Sequence, residues 1–421
     1  MPDYKRKKRN RFSAKPKTDK TRYAEKKNKI TNDEFEEKPQ KKSPFQVLKG
    51  KKAAFRKRWK KIAVALAVIV VTLIICEVTI PAGLNETFMT MIRATGSGEY
   101  PIEFESKNTE NVVAKSNFYY VLTDSEVKAV TLGGKIIFTH THGFENPVIK
   151  TSKTRALVFN QGGTDALIFN LDKVCSTIQT EKEIINATIG EDGTYALVTA
   201  ADGYVAAVNV YKKNDKLLYQ WFSSSDMVNN IALSQNGKKL AVSTLSTNVS
   251  GFNSKLSILN FKSATPEFTK EYKGEIIYNL SASFSRGLAV MTANTFDFIG
   301  WSKYESKEYK NEYNLQMMRE SGDGILLVYN RENDKTDNRI VWMSTKGNVK
   351  HELQFNGIIT DIALRNKHIY CVSDTKAYIL DNDGKTVRSA DCGFGVVRFS
   401  VISKNEIAAV TDNGINKIKF E

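Results

Sequence analysis

The chain has 421 residues, with 62 Lys and Arg against 46 Asp and Glu and a formal net charge of +16. That length holds two or three units at ~100–200 residues each, and four cysteines exclude a disulfide-built scaffold. The charge is local: residues 1–61 carry 24 basic and 7 acidic residues and the remainder 38 and 39, so the high isoelectric point is no reason to place nucleic acid on the folded part.

Residues 1–43 are rich in Lys, Arg, Asn, Thr and Pro and poor in apolar side chains. Such a segment buries too little apolar surface to offset its ordering entropy and is expected to be disordered. In 44–61, Phe45, Leu48, Phe55 and Trp59 share one side of a hypothetical helix amid Lys and Arg. Lys51, Lys52, Arg56, Lys57, Arg58, Trp59, Lys60 and Lys61 are therefore the candidate contacts with anionic lipid at the inner membrane surface. An ordinary stop-transfer flank with incidental aromatics accounts for them equally well. No DNA- or RNA-binding motif accompanies the Lys-rich runs, so nucleic acid is not an expected partner.

From Ile62 to Cys76 no charge interrupts the sequence, and after Glu77 the run continues to Ile80 before Pro81. At ~1.5 Å per residue this covers roughly the thickness of one hydrocarbon core, and it lacks the polar stripe of a globular helix. The span 62–80 is read as a transmembrane helix. Seven Lys and Arg lie between Lys51 and Lys61, whereas Arg93 is the only basic residue in the twenty that follow the run. The tail 1–61 is therefore expected inside the cell and the C-terminal domain outside. A cleaved signal peptide fits poorly, because no small-x-small site follows. Glu77, one turn from the outer end, is placed to reach the interface.

Residues 81–99 read as a linker ending Thr95-Gly96-Ser97-Gly98. From Tyr100 onward short runs of Val, Ile, Leu, Tyr and Phe alternate with turns such as Asp192-Gly193, Asp202-Gly203, Asn236-Gly237 and Asp383-Gly384, strong hairpin signals. The runs recur in units of four strands and roughly 40 residues. One unit reads Ile185–Ile189, Tyr195–Thr199, Val205–Val210, Leu217–Phe222. Unit starts fall near Asn111, Glu145, Lys182, Asp226, Glu275, Met317, Ile358 and Val396. The fold expected over 100–421 is an all-β propeller. The last unit lacks its fourth strand, which Ile102–Phe104 can supply to close a ring of eight blades. Seven blades remain open, since Met317–Asn330 fits two strands weakly.

Few residues point to chemistry. Cys371 and Cys392 fall on strands separated by a third, too far apart to bridge. His140-Thr141-His142 lacks a third ligand nearby and reads as two exposed loop histidines. Asp381-Asn382-Asp383-Gly384 begins like a calcium loop, but its twelfth position is Cys392 rather than Glu, so it reads as a turn. No phosphate loop, nucleophile elbow or HExxH occurs. Gly134-Lys135-Ile136-Ile137-Phe138 echoes the repeat of quinone-cofactor propellers once only. No catalytic residue, cofactor or metal is assigned.

Several stretches carry a family likeness: Tyr100-Pro101-Ile102, His142-Gly143-Phe144-Glu145-Asn146-Pro147, Asp202-Gly203-Tyr204-Val205, Tyr219-Gln220-Trp221-Phe222, and Ser234-Gln235-Asn236-Gly237-Lys238-Lys239-Leu240-Ala241-Val242. Over about 60–421 the chain resembles a family of unknown function from Clostridia-type Gram-positive bacteria. The resemblance implies a basic tail, one membrane helix and an outward quinoprotein-like propeller, and it implies no catalytic residues.

The function expected from this reading is a membrane-anchored, non-enzymatic binding or scaffold protein at the cell envelope, with a protein or cell-wall partner. A glycan-acting lyase or hydrolase with carboxylates at the channel mouth, and a ligand sensor signalling through the single helix, are the alternatives.

Overall fold

The computed structural model describes residues 61–77, 80, 82–104, 109–115, 117–248, 251–284 and 286–421. The chain divides into two units, Met1–Ala67 and Val68–Glu421. The candidate lipid contacts Lys51, Lys52, Arg56, Lys57, Arg58, Trp59 and Lys60 lie outside the described residues, and Lys61 opens helix α1 (61–77). The Ile, Val and Leu side chains of α1 are exposed. Among the described residues no helix is long and apolar enough to cross a membrane; residues 78 and 79 of the expected span lie outside them.

From 109 onward the repeating units fold as antiparallel four-stranded sheets, and eight such sheets form the blades of a propeller. Their inner strands are Thr109–Ala114, Pro147–Thr151, Ile184–Ile189, Met227–Leu233, Asn279–Phe284, Asn314–Ser321, Ile359–Arg365 and Val396–Ser403. Each begins within four residues of the start read from the repeat. The stretch that fitted poorly folds as Asn314–Ser321 paired to Gly324–Arg331.

The ring closes as the missing strand requires. Ile102–Glu103 is the outermost strand of blade 8, pairing Ile102 with Ile415 and Glu103 with Gly414. Gly414 is needed there: a Cβ would collide with the Ile102 carbonyl oxygen.

The core is a set of eight layers, one between each pair of neighbouring blades. Along the second strand of blade 1, Tyr119 and Val121 pack toward blade 8, while Tyr120 and Leu122 pack toward blade 2. In blade 7, Ile369 and Cys371 face blade 6, and Tyr370 and Val372 face blade 8. Successive side chains point to opposite faces of a sheet, and here both faces are covered. The second strands therefore read as unbroken apolar runs such as Phe118–Leu122.

One element was not expected. Within the span read as a linker, Leu84–Arg93 forms helix α2. Thr90 is buried, and Glu86 and Arg93 point to the propeller: Arg155 donates from Nε to Glu86 Oε1 (2.8 Å) and Thr154 Oγ1 donates to the same oxygen (2.8 Å). Lys213 pairs with Glu86, and Arg93 with Asp172 (2.7 Å). The following Gly96-Ser97-Gly98 is a packed contact: Ser97 bridges to Gly133 and Gly134 of blade 1, and Gly98 N donates to Gly133 O (2.8 Å). The glycines are there for close backbone approach, since a Cβ on Gly98 would strike the Gly134 carbonyl.

Candidate functional site

Every inner strand starts at one face of the ring, so the four-strand path fixes which loops share a face. Turns between first and second strands, and between third and fourth, lie on one face; Thr154, Arg155, Asp172 and Lys213 belong to them. This is the proximal face, where α2 docks. Loops between second and third strands, and the crossings between blades, form the distal face.

A cavity of about 310 Å³ opens among the inner strands of blades 2 to 6. Lys150, Glu191, Ser281, Arg319 and Glu320 bring polar groups to it. Ser281 Oγ donates to Glu320 (2.7 Å), and Glu191 accepts from the Lys153 amide (2.7 Å). Burial pushes the Lys150 ammonium below its ordinary range. It does the same to Lys115, against the opposing charges of Glu191 and Glu320. Arg319 is held away from free chemistry by Asp361, to which its Nε donates (2.7 Å). Asp361, nearly fully buried, also accepts from the Phe399 amide (3.1 Å) and pairs with Arg398 (3.4 Å). Burial raises its pKa, opposed first by Arg319.

The lining holds two carboxylates and no histidine. Among the described residues no group of three His, Cys, Asp or Glu is placed to hold a metal. The lining sets the carboxylates of Glu191 and Glu320 against the cations of Lys150 and Arg319.

Sequence reasoning could not see Asp361 or Arg398 as partners. Seven inner strands break register, Val396–Ser403 twice and the others once, and Asn186, Asn230, Asp361 and Arg398 each follow such a break. A bulge re-aims the side chain that follows it. Asn186 thereby donates to Asn229 O on the next blade (3.0 Å), and Asn230 to Ile277 O (3.1 Å).

The histidine and cysteine readings resolve simply. His140 and His142 are half-buried rather than exposed: His142 bonds Thr123 O (3.1 Å) and accepts from the Phe144 amide (3.0 Å). Cys371 and Cys392 are free thiols. Asp381 Oδ1 accepts from the amides of Asp383 and Lys385 (2.9 Å each), a turn.

The distal face has a different character. Phe394, flanked by Gly393 and Gly395, is 89% exposed, and Met227 is 61% exposed. Phe252, Ile358 and a ring pair of Tyr204 with Phe222 (centroids 4.6 Å apart) stand on the same face. Soluble surfaces carry single apolar residues freely, but repeated large ones on one face mark a contact surface.

Eight four-stranded antiparallel blades closed into one ring define a β-propeller. The chain belongs to the family of unknown function DUF5711, whose model matches residues 95–420. No curated protein matches the sequence. Among solved structures it is similar to BamB from Moraxella catarrhalis, at 11% identity and TM-score 0.50, covering 77% of this chain and 99% of that one. It is also similar to Sqt1 from Chaetomium thermophilum bound to the N-terminus of ribosomal protein L10, at 13% identity and TM-score 0.50, covering 77% and 100%. A third is the dihydro-heme d1 dehydrogenase NirN, at 10% identity and TM-score 0.51, covering 74% and 75%. At these identities the likeness concerns the fold.

Proposed function

We propose that this protein is a membrane-anchored, extracytoplasmic binding or scaffold protein whose propeller presents its distal face to a protein partner at the cell envelope. The observation that carries the reading is the exposure of Phe394, Met227, Phe252 and Ile358 on one face of a closed ring. Large apolar side chains set amid polar loops are what a protein interface uses as anchors. The similar fold of Sqt1, seen with the N-terminus of a ribosomal protein bound, supports a protein segment as the occupant. Anchoring through 62–80 is supported by the apolar run, the exposed side chains of α1 and the basic flank.

The test is capture from crosslinked membranes with the whole chain and with the double variant Phe394→Asp, Met227→Asp. Both positions are exposed, so the fold tolerates the change. A specific protein retained by the parent chain and lost by the variant is the expected outcome. Capture of nothing beyond background, or equal capture by both, would count against the reading.

A further inference from the structure

The two faces of the ring differ sharply in charge. The proximal turns, among the described residues, carry sixteen Lys and Arg against ten Asp and Glu. Among the described residues the distal loops carry one basic residue, Lys182, against eleven acidic ones, and Lys182 is already paired with Asp202 (2.8 Å). A ring with a positive face and a negative face is oriented by any charged surface it approaches.

Helix α2 lies on the positive face and is the reverse of an ordinary surface helix. Its polar residues Glu86 and Arg93 are the ones turned to the propeller, bound to Arg155, Thr154, Lys213 and Asp172. Three of its apolar residues are turned outward: Phe88 is 58% exposed, Met91 56% and Ile92 48%. Residues 88, 91 and 92 lie at helical spacing on one side. An outward apolar stripe set among lysines is the arrangement of a helix lying in a membrane interface. The apolar run ends at Ile80, four residues before α2 begins.

We infer that the proximal face is a lipid-docking surface: α2 inserts Phe88, Met91 and Ile92 at the headgroup level of an anionic phospholipid bilayer, and the surrounding turn lysines contact the headgroups. The propeller therefore rests flat on the membrane with its acidic, apolar distal face turned away. This rests on the reading that 62–80 anchors the chain. Charge complementarity selects the lipid, because anionic headgroups match the lysine excess and attract each lysine in proportion to its closeness.

The test uses the whole chain in nanodiscs of pure phosphatidylcholine and of phosphatidylcholine with phosphatidylglycerol. Lysine acylation is read by mass spectrometry at Lys135, Lys173, Lys346 and Lys385 on the proximal face and at Lys182, Lys273 and Lys376 on the distal side. In anionic discs the proximal lysines are expected to react about fivefold more slowly than in zwitterionic ones, with the distal lysines unchanged. The variant Phe88→Ser, Ile92→Ser, altered only at exposed positions, is expected to lose most of that protection. A chain retained in the discs with both faces labelled alike, or a variant protected as fully as the parent, would overturn the docking and leave the anchoring intact. A chain released from the bilayer by alkaline carbonate would overturn both.

Discussion

Two charged residues hold the structure together at points where a substitution has a definite consequence. Burial alone would raise the Glu86 pKa, but hydrogen bonds from Arg155, Lys213 and Thr154 outweigh it and hold the carboxyl at about 2, below its ordinary 4.5. A carboxylate with a depressed folded pKa stabilises the folded state fully above its unfolded pKa and loses that contribution as pH falls through the folded value. Docking of α2 is therefore expected to weaken between about pH 4.5 and pH 2. Amide exchange over 84–94, corrected for intrinsic rates, should show this loss in the parent chain. Glu86→Gln should be weakly docked at neutral pH and flat across the same window, and an identical pH trend in both chains would exclude Glu86 as the cause. Asp361 is the second case. It takes Arg319, Arg398 and the Phe399 amide in a buried position, so Asp361→Ala leaves two guanidinium groups without their carboxylate. A loss of about 3–5 kcal/mol is expected in denaturant unfolding; a change under ~1 kcal/mol would mean the arginines find solvent instead.

At the scale of elements, the closing strand is short and decisive. Two residue pairs join Ile102–Glu103 to blade 8, and Gly414 permits their approach. Gly414→Val is expected to open this edge, so that amides of Gly414–Lys419 exchange earlier than those of the inner strand Val396–Ser403; equal exchange would show that closure does not depend on the glycine. This strand was legible in the sequence, because a four-strand repeat with a missing member implies a donor elsewhere in the chain. The blades were legible for the same reason: Asp192-Gly193 and Asn236-Gly237 mark turns wherever they fall in a repeat. Helix α2 was not, since ten residues between Gly83 and Ala94 give too few turns for a periodicity to stand out. The inter-blade bonds of Asn186, Asn230 and Asp361 were hidden too, because a bulge reverses which face a residue takes and leaves no mark in composition.

From Ile102 onward the chain is a ring whose stability resides in eight similar inter-blade layers, with a different surface on each side. A large-to-small change in any layer should therefore cost alike: Leu122→Ala between blades 1 and 2 and Leu326→Ala between blades 6 and 7, both fully buried, are each expected to lose about 2–5 kcal/mol, read from unfolding midpoints at unchanged denaturant slope. The strong positive charge of the sequence belongs mostly to residues 1–61, yet the propeller itself, near neutral in sum, is divided between a basic proximal and an acidic distal face. That division was invisible to a net count, because it depends on which loops the strand path gathers on one side. The proposed docking uses that division, with lipid at the proximal face and a protein partner at the distal one. The most direct measurement places a photo-crosslinking amino acid at Phe394 or at Phe88 and irradiates intact membranes of cells making the protein. Position 394 is expected to yield a protein adduct and position 88 a phospholipid adduct; lipid at 394 with protein at 88 would contradict the orientation and the division of labour between the two faces.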